Sequence, residues 1–258
     1  MLFRSLLSLS LSSIIAGLFF AGRITIKKRL HEVRNRSAIT PILLSTLFNG
    51  VIYYLLTFIA LQFTSPGNAS IVAMTEIFFS FLFFHIFCKE HLPQTQIIGA
   101  TSMLVGAIII LLPNFTHFQI GDLLILMAAA VAPFGNFYAQ RARKQVGSET
   151  IMMIRSLISA FVIFILALII RVPFSLGAIN HSLWFILING LLLLGLSKVF
   201  WIEGIHRIAV TTANAIGCIS PLVTLIGAWL VFHQVPTVWQ LVSLFPLFVG
   251  IRFISKKG

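Results

Sequence analysis

Blocks of about twenty apolar residues, separated by short polar punctuation, run along the whole chain. An α-helix rises 1.5 Å per residue and needs about twenty residues to cross the hydrocarbon of a bilayer. On that rule the pattern predicts nine membrane-spanning helices, over approximately 5–22, 42–63, 67–88, 94–112, 121–140, 151–170, 183–205, 210–232 and 236–254. Pro41, Pro66, Pro93 and Pro236 fall at expected helix starts, where a missing N–H costs nothing. Asp122 opens the fifth span, where the helix dipole favours a carboxylate. Apart from a basic loop at 23–40, the joints are too short to hold a soluble domain.

The charges test this division. Fourteen of the 18 Lys and Arg residues fall on one side when the spans alternate across the bilayer. They lie in 23–36, at Lys89, in 141–144, at Arg207 and at the C-terminal end. Arg4 and Arg171 fall on the other side, and Arg155 and Lys198 lie inside spans. A missed or invented helix would scramble the alternation. The positive-inside rule then predicts a cytoplasmic C-terminus in a plasma (inner) membrane and a beginning on the outer side. A cleaved secretory signal is the rival reading of the first span, with Arg4, an apolar run and Ala21-Gly22. The heavier basic cluster from Arg23 to Arg36 behind it favours a retained span.

Composition narrows the class. Hydrophobic residues make up 59% and charged residues 9%, with a mean hydropathy of +1.04, too little charge to cover a soluble globule. The net charge of +12 is distributed as topology signals, so nucleic acid is not an expected partner; lipid is. Cys88 and Cys218 stand in different apolar stretches and form no CxxC pair. The histidines form no HxxxH or HExxH group, and six carboxylates leave no basis for a metal site. No GxxxxGK[ST] occurs, so no cofactor or nucleotide is expected.

The sequence also repeats. Arg4-Ser5-Leu6-Leu7-Ser8 opens the first span, and Arg155-Ser156-Leu157-Ile158-Ser159 opens the sixth. Asn68-Ala69 in the third recurs as Asn214-Ala215 in the eighth. Five spans separate equivalents, an odd number, so the halves point opposite ways: an inverted repeat, typical of secondary transporters. The expected fold is therefore an all-α polytopic membrane protein of two inverted repeats, 1–113 and 119–255. The helix equivalent to 121–140 has no counterpart ahead of Arg4. The expectation is a truncated or mis-started chain, with a natural nine-helix form as the rival.

With its repeat, the chain resembles the EamA-type members of the drug/metabolite transporter superfamily, which have ten helices in two inverted five-helix repeats. The resemblance rests on Arg4 and Arg155 at the heads of equivalent helices and on hairpin turns at Thr64–Asn68 and Ala209–Ala213. Lys89-Glu90, Gln96-Ile97-Ile98-Gly99 with Gly106, and Ser220-Pro221 also match. The chain departs from that pattern at His233-Gln234, which lacks the acidic residue, and at Glu76-Ile77, where a proline is usual. The resemblance implies a small-molecule substrate and export.

Charged groups at mid-bilayer cost about 2.5–3.5 kcal/mol on insertion scales and call for an explanation. Glu76 lies at the centre of its span and has no basic residue three or four positions away. Lys198 lies at similar depth, so the two are candidates either for a substrate or coupling-ion site or for a structural ion pair. Tyr53, Tyr54, Asn136, Asn214 and Ser220 are further site candidates, with Asn49 at comparable depth; Tyr138 and Trp201 read as interfacial belt residues. Glu203 precedes Arg207 by four residues and is expected to pair with it. Arg155 is expected to reach outward to the interface, and Arg4 and Arg155 to act as structural anchors. The expected function is gradient-driven transport of a small organic metabolite, such as an amino acid, by alternating access, with protons as a candidate coupling ion. The alternatives are a non-transporting membrane subunit and an integral-membrane enzyme; an enzyme would need a nucleophile–base pair or metal cluster, and no His–Asp or His–Glu set lies at one depth.

Overall fold

In the computed structural model, residues 2–88, 93–111, 120–169, 182–208, 210, 213, 217 and 220–255 are described, and every element among them is helical. Lys89-Glu90, Asn214 and most of the second expected hairpin turn lie outside the described residues. The helices are α1 (Leu2–Ile26), α2 (Arg36–Ala60), α3 (Pro66–Ala73 continuing as Thr75–Cys88), α4 (Gln94–Leu111), α5 (Ile120–Arg143), α6 (Ser148–Ile169), α7 (Leu183–Arg207), α8 (Ser220–Phe232) and α9 (Val238–Ser255). Each expected span thus falls on a helix. Six of them are long and apolar enough to cross a membrane; α4, α8 and α9 contain shorter apolar stretches.

Local chemistry sets the ends. The Ser65 hydroxyl accepts from the Asn68 N–H at 3.1 Å, with Pro66 opening α3. Asn35 caps α2 through the Ser37 N–H. This start corrects the expectation for Pro41, which lies inside α2 rather than at its beginning. After α1, Lys28 adopts a left-handed φ of 53°. The Arg29 N–H reaches the Ile24 carbonyl and the Lys28 N–H the Thr25 carbonyl, forming a Schellman end without the usual glycine. A short 3₁₀ turn, Leu30–Arg34, follows.

Three helices depart from regular α geometry near mid-length. Thr46–Ile52 of α2 and Asn189–Leu196 of α7 are π-helical. These two helices hold the same place in the two repeats, and both irregular segments contain an Asn-Gly pair. In α3 the helix breaks at Met74; the Ile77 N–H reaches back only three residues, and the Thr75 hydroxyl donates to the Val72 carbonyl at 2.7 Å.

The chain divides into two units, 1–58 with 134–207, and 59–133 with 208–258. Neither is a contiguous half. In the first, α1 packs along α6: Ser10 donates to the Ala160 carbonyl at 3.0 Å, and Gly17 lies against Leu157. In the second, α4 packs along α9: Ser102 donates to the Pro246 carbonyl at 2.8 Å, and Gly106 meets Ser243 while Gly250 meets Met103. In each pair later residues of one helix meet earlier residues of the other, so the helices run antiparallel. Repeat-equivalent helices therefore pack antiparallel on each other in both units, the geometry an inverted duplication requires. The first unit holds apolar clusters around Phe20, Ile42 and Ile151 and around Leu9, Ile163 and Leu194. The second is built around Ile71, Ile77, Met103 and Leu247.

Candidate functional site

The polar interior of the first unit begins at the π-helical segment of α2. Widening the helix brings Asn49 and Gly50 against α5 and α6. Gly50 faces the Ser159 hydroxyl and the Arg155 stem so closely that a Cβ could not be accommodated unchanged. Gly135 meets the Asn49 amide in the same way. The Asn49 side chain donates to the Asn136 carbonyl oxygen at 2.9 Å, and the Trp201 indole N–H donates to the same oxygen at 3.2 Å. Asn49 and Asn136 are buried, so this bridge satisfies amides that would be costly in lipid. Trp201 is thus turned inward rather than serving the belt, and Tyr138 lies parallel to the Phe48 ring at a centroid distance of 6.3 Å.

Arg155 completes this interior and corrects the expectation that it reaches outward. Helix α6 begins at Ser148, three residues before the expected start, which puts Arg155 about 10 Å along it at 1.5 Å per residue. The side chain is 6% exposed, donates to the Asn49 backbone carbonyl at 2.8 Å and lies 5.9 Å from the Tyr54 ring centroid. The Lys198 ammonium lies 5.9 Å from the same centroid. Tyr53 meets Tyr54 edge to face. The unit therefore gathers Tyr53, Tyr54, Asn136 and Lys198 from the expected set and adds Asn49 and Arg155.

The carboxylates of this unit gather elsewhere, around the α5–α6 joint. Glu203 takes a two-pronged contact from Arg143, at 3.0 and 3.1 Å, and the Ser148 hydroxyl at 2.6 Å. The direct contact to Glu203 thus comes from the last turn of α5 and the first of α6, while the exposed Arg207, its expected partner, acts on it only through its charge. Glu149 accepts Arg23 at 2.7 Å and Lys27 at 2.9 Å. Glu32 accepts the Gly147 N–H at 2.8 Å and the Thr150 hydroxyl at 2.6 Å, clamping the 27–35 loop to the head of α6. Burial pushes the Glu32 carboxyl up, but the Thr150 and Gly147 hydrogen bonds and the Arg29 and His31 charges outweigh it and hold the group below its ordinary range.

In the second unit, Glu76 opens the Thr75–Cys88 segment of α3, immediately after the break at Met74. A carboxylate there faces the positive end of a helix dipole, an electrostatic support that span-level reading cannot reveal. Asn68 accepts from the Gln240 amide at 2.9 Å, and Asp122 is bound by the Thr64 hydroxyl. Ser220 is exposed at the head of α8. Asn214 and the Arg4 side chain lie outside what is described. Among the described residues no group of three or more His, Cys, Asp or Glu is placed to hold a metal.

Membrane-length helices, antiparallel packing of repeat equivalents and intramembrane polar clusters define an integral membrane protein of inverted-repeat architecture. The EamA-like transporter family model matches residues 3–112 and 119–256, and the chain belongs to that family. It is 21% identical over 204 residues to the uncharacterized transporter YoaV of Bacillus subtilis (strain 168), covering 78% of this chain and 68% of that protein. It is 21% identical over 215 residues to the uncharacterized transporter sll1164 of Synechocystis sp., covering 78% of this chain and 61% of that protein. A crystal structure of another protein shares the fold with a TM-score of 0.74 at 18% identity, over 97% of this chain and 86% of the other.

Proposed function

We propose that this protein is a secondary active transporter that exports a small organic metabolite, an amino acid or a related compound, by alternating access. The observation that carries the reading is the antiparallel packing of repeat-equivalent helices, α1 on α6 and α4 on α9. Such symmetry lets one sequence duplication supply two exchangeable conformations around a midplane site. The π-helical turns in α2 and α7 and the break in α3 interrupt the regular helical ladder at mid-length, a feature that often accompanies functional sites.

Glu76 is the proposed proton-coupling group. Its place behind a helix break makes a carboxylate tolerable at that depth, and protonation is the charge change a gradient can drive. The 14 basic residues on one side of the expected topology support a cytoplasmic C-terminus. Counterflow of a pooled metabolite panel into liposomes carrying the purified protein tests the reading, and no uptake of any solute class overturns it. Glu76→Gln is expected to abolish accumulation driven by a pH gradient while sparing exchange. Full proton-driven accumulation by that variant removes Glu76 from the coupling role.

A further inference from the structure

A buried guanidinium is ordinarily neutralised by a carboxylate, and Arg155 is held by neutral groups. Its partners are the Asn49 carbonyl and Tyr54, although an arginine side chain carries five N–H donors. The described carboxylates of its unit are committed around the α5–α6 joint: Glu32 to Gly147 and Thr150, Glu149 to Arg23 and Lys27, and Glu203 to Arg143 and Ser148. Lys198 brings a second cation to the same tyrosine ring. Two positive charges thus face one tyrosine ring in an interior of neutral polar groups, with no acidic side chain against either among the described residues.

A small cleft adjoins the guanidinium. It is lined by Ser13, Tyr54, Arg155, Ser156, Ser159 and Leu194, and its volume of about 10 Å³ is that of a single water. The Ser159 hydroxyl, on a residue 2% exposed, has no hydrogen-bond partner among the described residues. A buried hydroxyl free to donate, beside a guanidinium held only by neutral groups, offers an oxyanion two kinds of donor at one place. The cleft has room for a single oxygen atom, and a planar guanidinium suits a planar carboxylate.

We infer that Arg155 is a carboxylate-binding residue and that, on the transport reading above, the substrate is a small metabolite carrying a carboxylate. One carboxylate oxygen takes the guanidinium N–H donors, with Ser159 donating to it and Lys198 supplying longer-range attraction. Gly50 keeps the α2 backbone close enough for Asn49 to hold the guanidinium in place. The remainder of the solute lies against Met152 and Leu194 as the cleft widens during the cycle.

The test uses the full chain in detergent and in liposomes. Sodium propionate and sodium benzoate, propionamide and benzamide, and sodium phosphate are titrated at constant ionic strength while thermal unfolding is followed. The two carboxylates are expected to stabilise saturably, and the amides and phosphate not to. Arg155→Gln should lower apparent carboxylate affinity at least about tenfold, as loss of a charge-assisted pair implies. Arg155→Lys should recover part of it, and Ser159→Ala should lower affinity about threefold to tenfold. Should Arg155→Gln fail to fold, Ser159→Ala and Lys198→Met carry the same comparison. Equal stabilisation by the amides, tighter binding of phosphate, no carboxylate effect, or wild-type affinity in the variants each overturns the assignment. Counterflow separates the two readings: carboxylate binding without transport of any solute sinks the transporter proposal, and transport confined to solutes lacking a carboxylate sinks this one.

Discussion

Replacing Asn136 by alanine removes one oxygen that serves two donors, the Asn49 amide at 2.9 Å and the Trp201 indole at 3.2 Å. Asn136 is 3% and Asn49 7% exposed, so water has poor access to repair the loss. Side-chain hydrogen bonds between membrane helices average about 0.6 kcal/mol, with a maximum near 1.7 kcal/mol. Two lost bonds therefore predict a destabilisation of about 1–3 kcal/mol, with the upper end reached if both donors stay buried and unpaired. The assay is reversible unfolding in mixed micelles of increasing denaturing-detergent fraction. A double-mutant cycle with Trp201→Phe isolates one arm of the bridge, and Asn49→Ala isolates the other. Coupling of about 0.5 kcal/mol or more is expected in each cycle. A loss below about 0.5 kcal/mol with zero coupling in both cycles refutes the claim that this bridge fixes α2, α5 and α7 together.

Three further outcomes follow from local geometry. Gly50→Ala places a methyl group against the Ser159 hydroxyl and 3.3 Å from the Arg155 Cγ; a loss of about 1–3 kcal/mol is expected, with partial recovery when combined with Ser159→Gly, read in the same unfolding assay. Glu32 has a lowered folded pKa, so its contribution is complete above the unfolded value and is lost as pH falls through the folded one; wild type should lose stability relative to Glu32→Gln below about pH 4.3, and identical pH profiles would refute this. Lys28→Gly relieves a left-handed lysine at the end of α1 and should raise stability by about 0.5–1 kcal/mol, measured by thermal unfolding; a decrease would show that the lysine side chain matters more than its backbone strain.

The spans were legible because lipid imposes a single, long-range demand on every residue in them, and because Lys and Arg mark the joints. The partners of the charged groups were not legible by the same route. Glu203 has Arg207 four residues away, yet it binds Arg143, 60 positions distant, because tertiary packing offers a two-pronged partner and a serine hydroxyl together. Arg155 was placed one turn into its helix by hydropathy, but Ser148 and Glu149 extend α6 backward with polar residues that the apolar pattern omits. Asn136 stood out as a site candidate and Asn49 only as a residue at comparable depth, whereas their mutual bond required three-dimensional placement. The break at Met74 carries no proline or glycine, so nothing in the local sequence announces it.

The interleaving of the two units has a consequence for biosynthesis. Helices α1 and α2 are made before α5 and α7, so the amide that Asn49 donates to arrives with α5, 87 residues later, and the carbonyl that Ser12 donates to arrives with α7, 174 residues later. At an elongation rate of about 5–20 residues per second, Asn49 waits roughly 4–17 s for Asn136 and Ser12 roughly 9–35 s for Ile186. During that interval the nascent chain holds the Asn49 amide and the Ser12 hydroxyl without these partners. A chain that ends before residue 134 holds only the first segment of their unit, without Asn136, α6 or α7 to complete it.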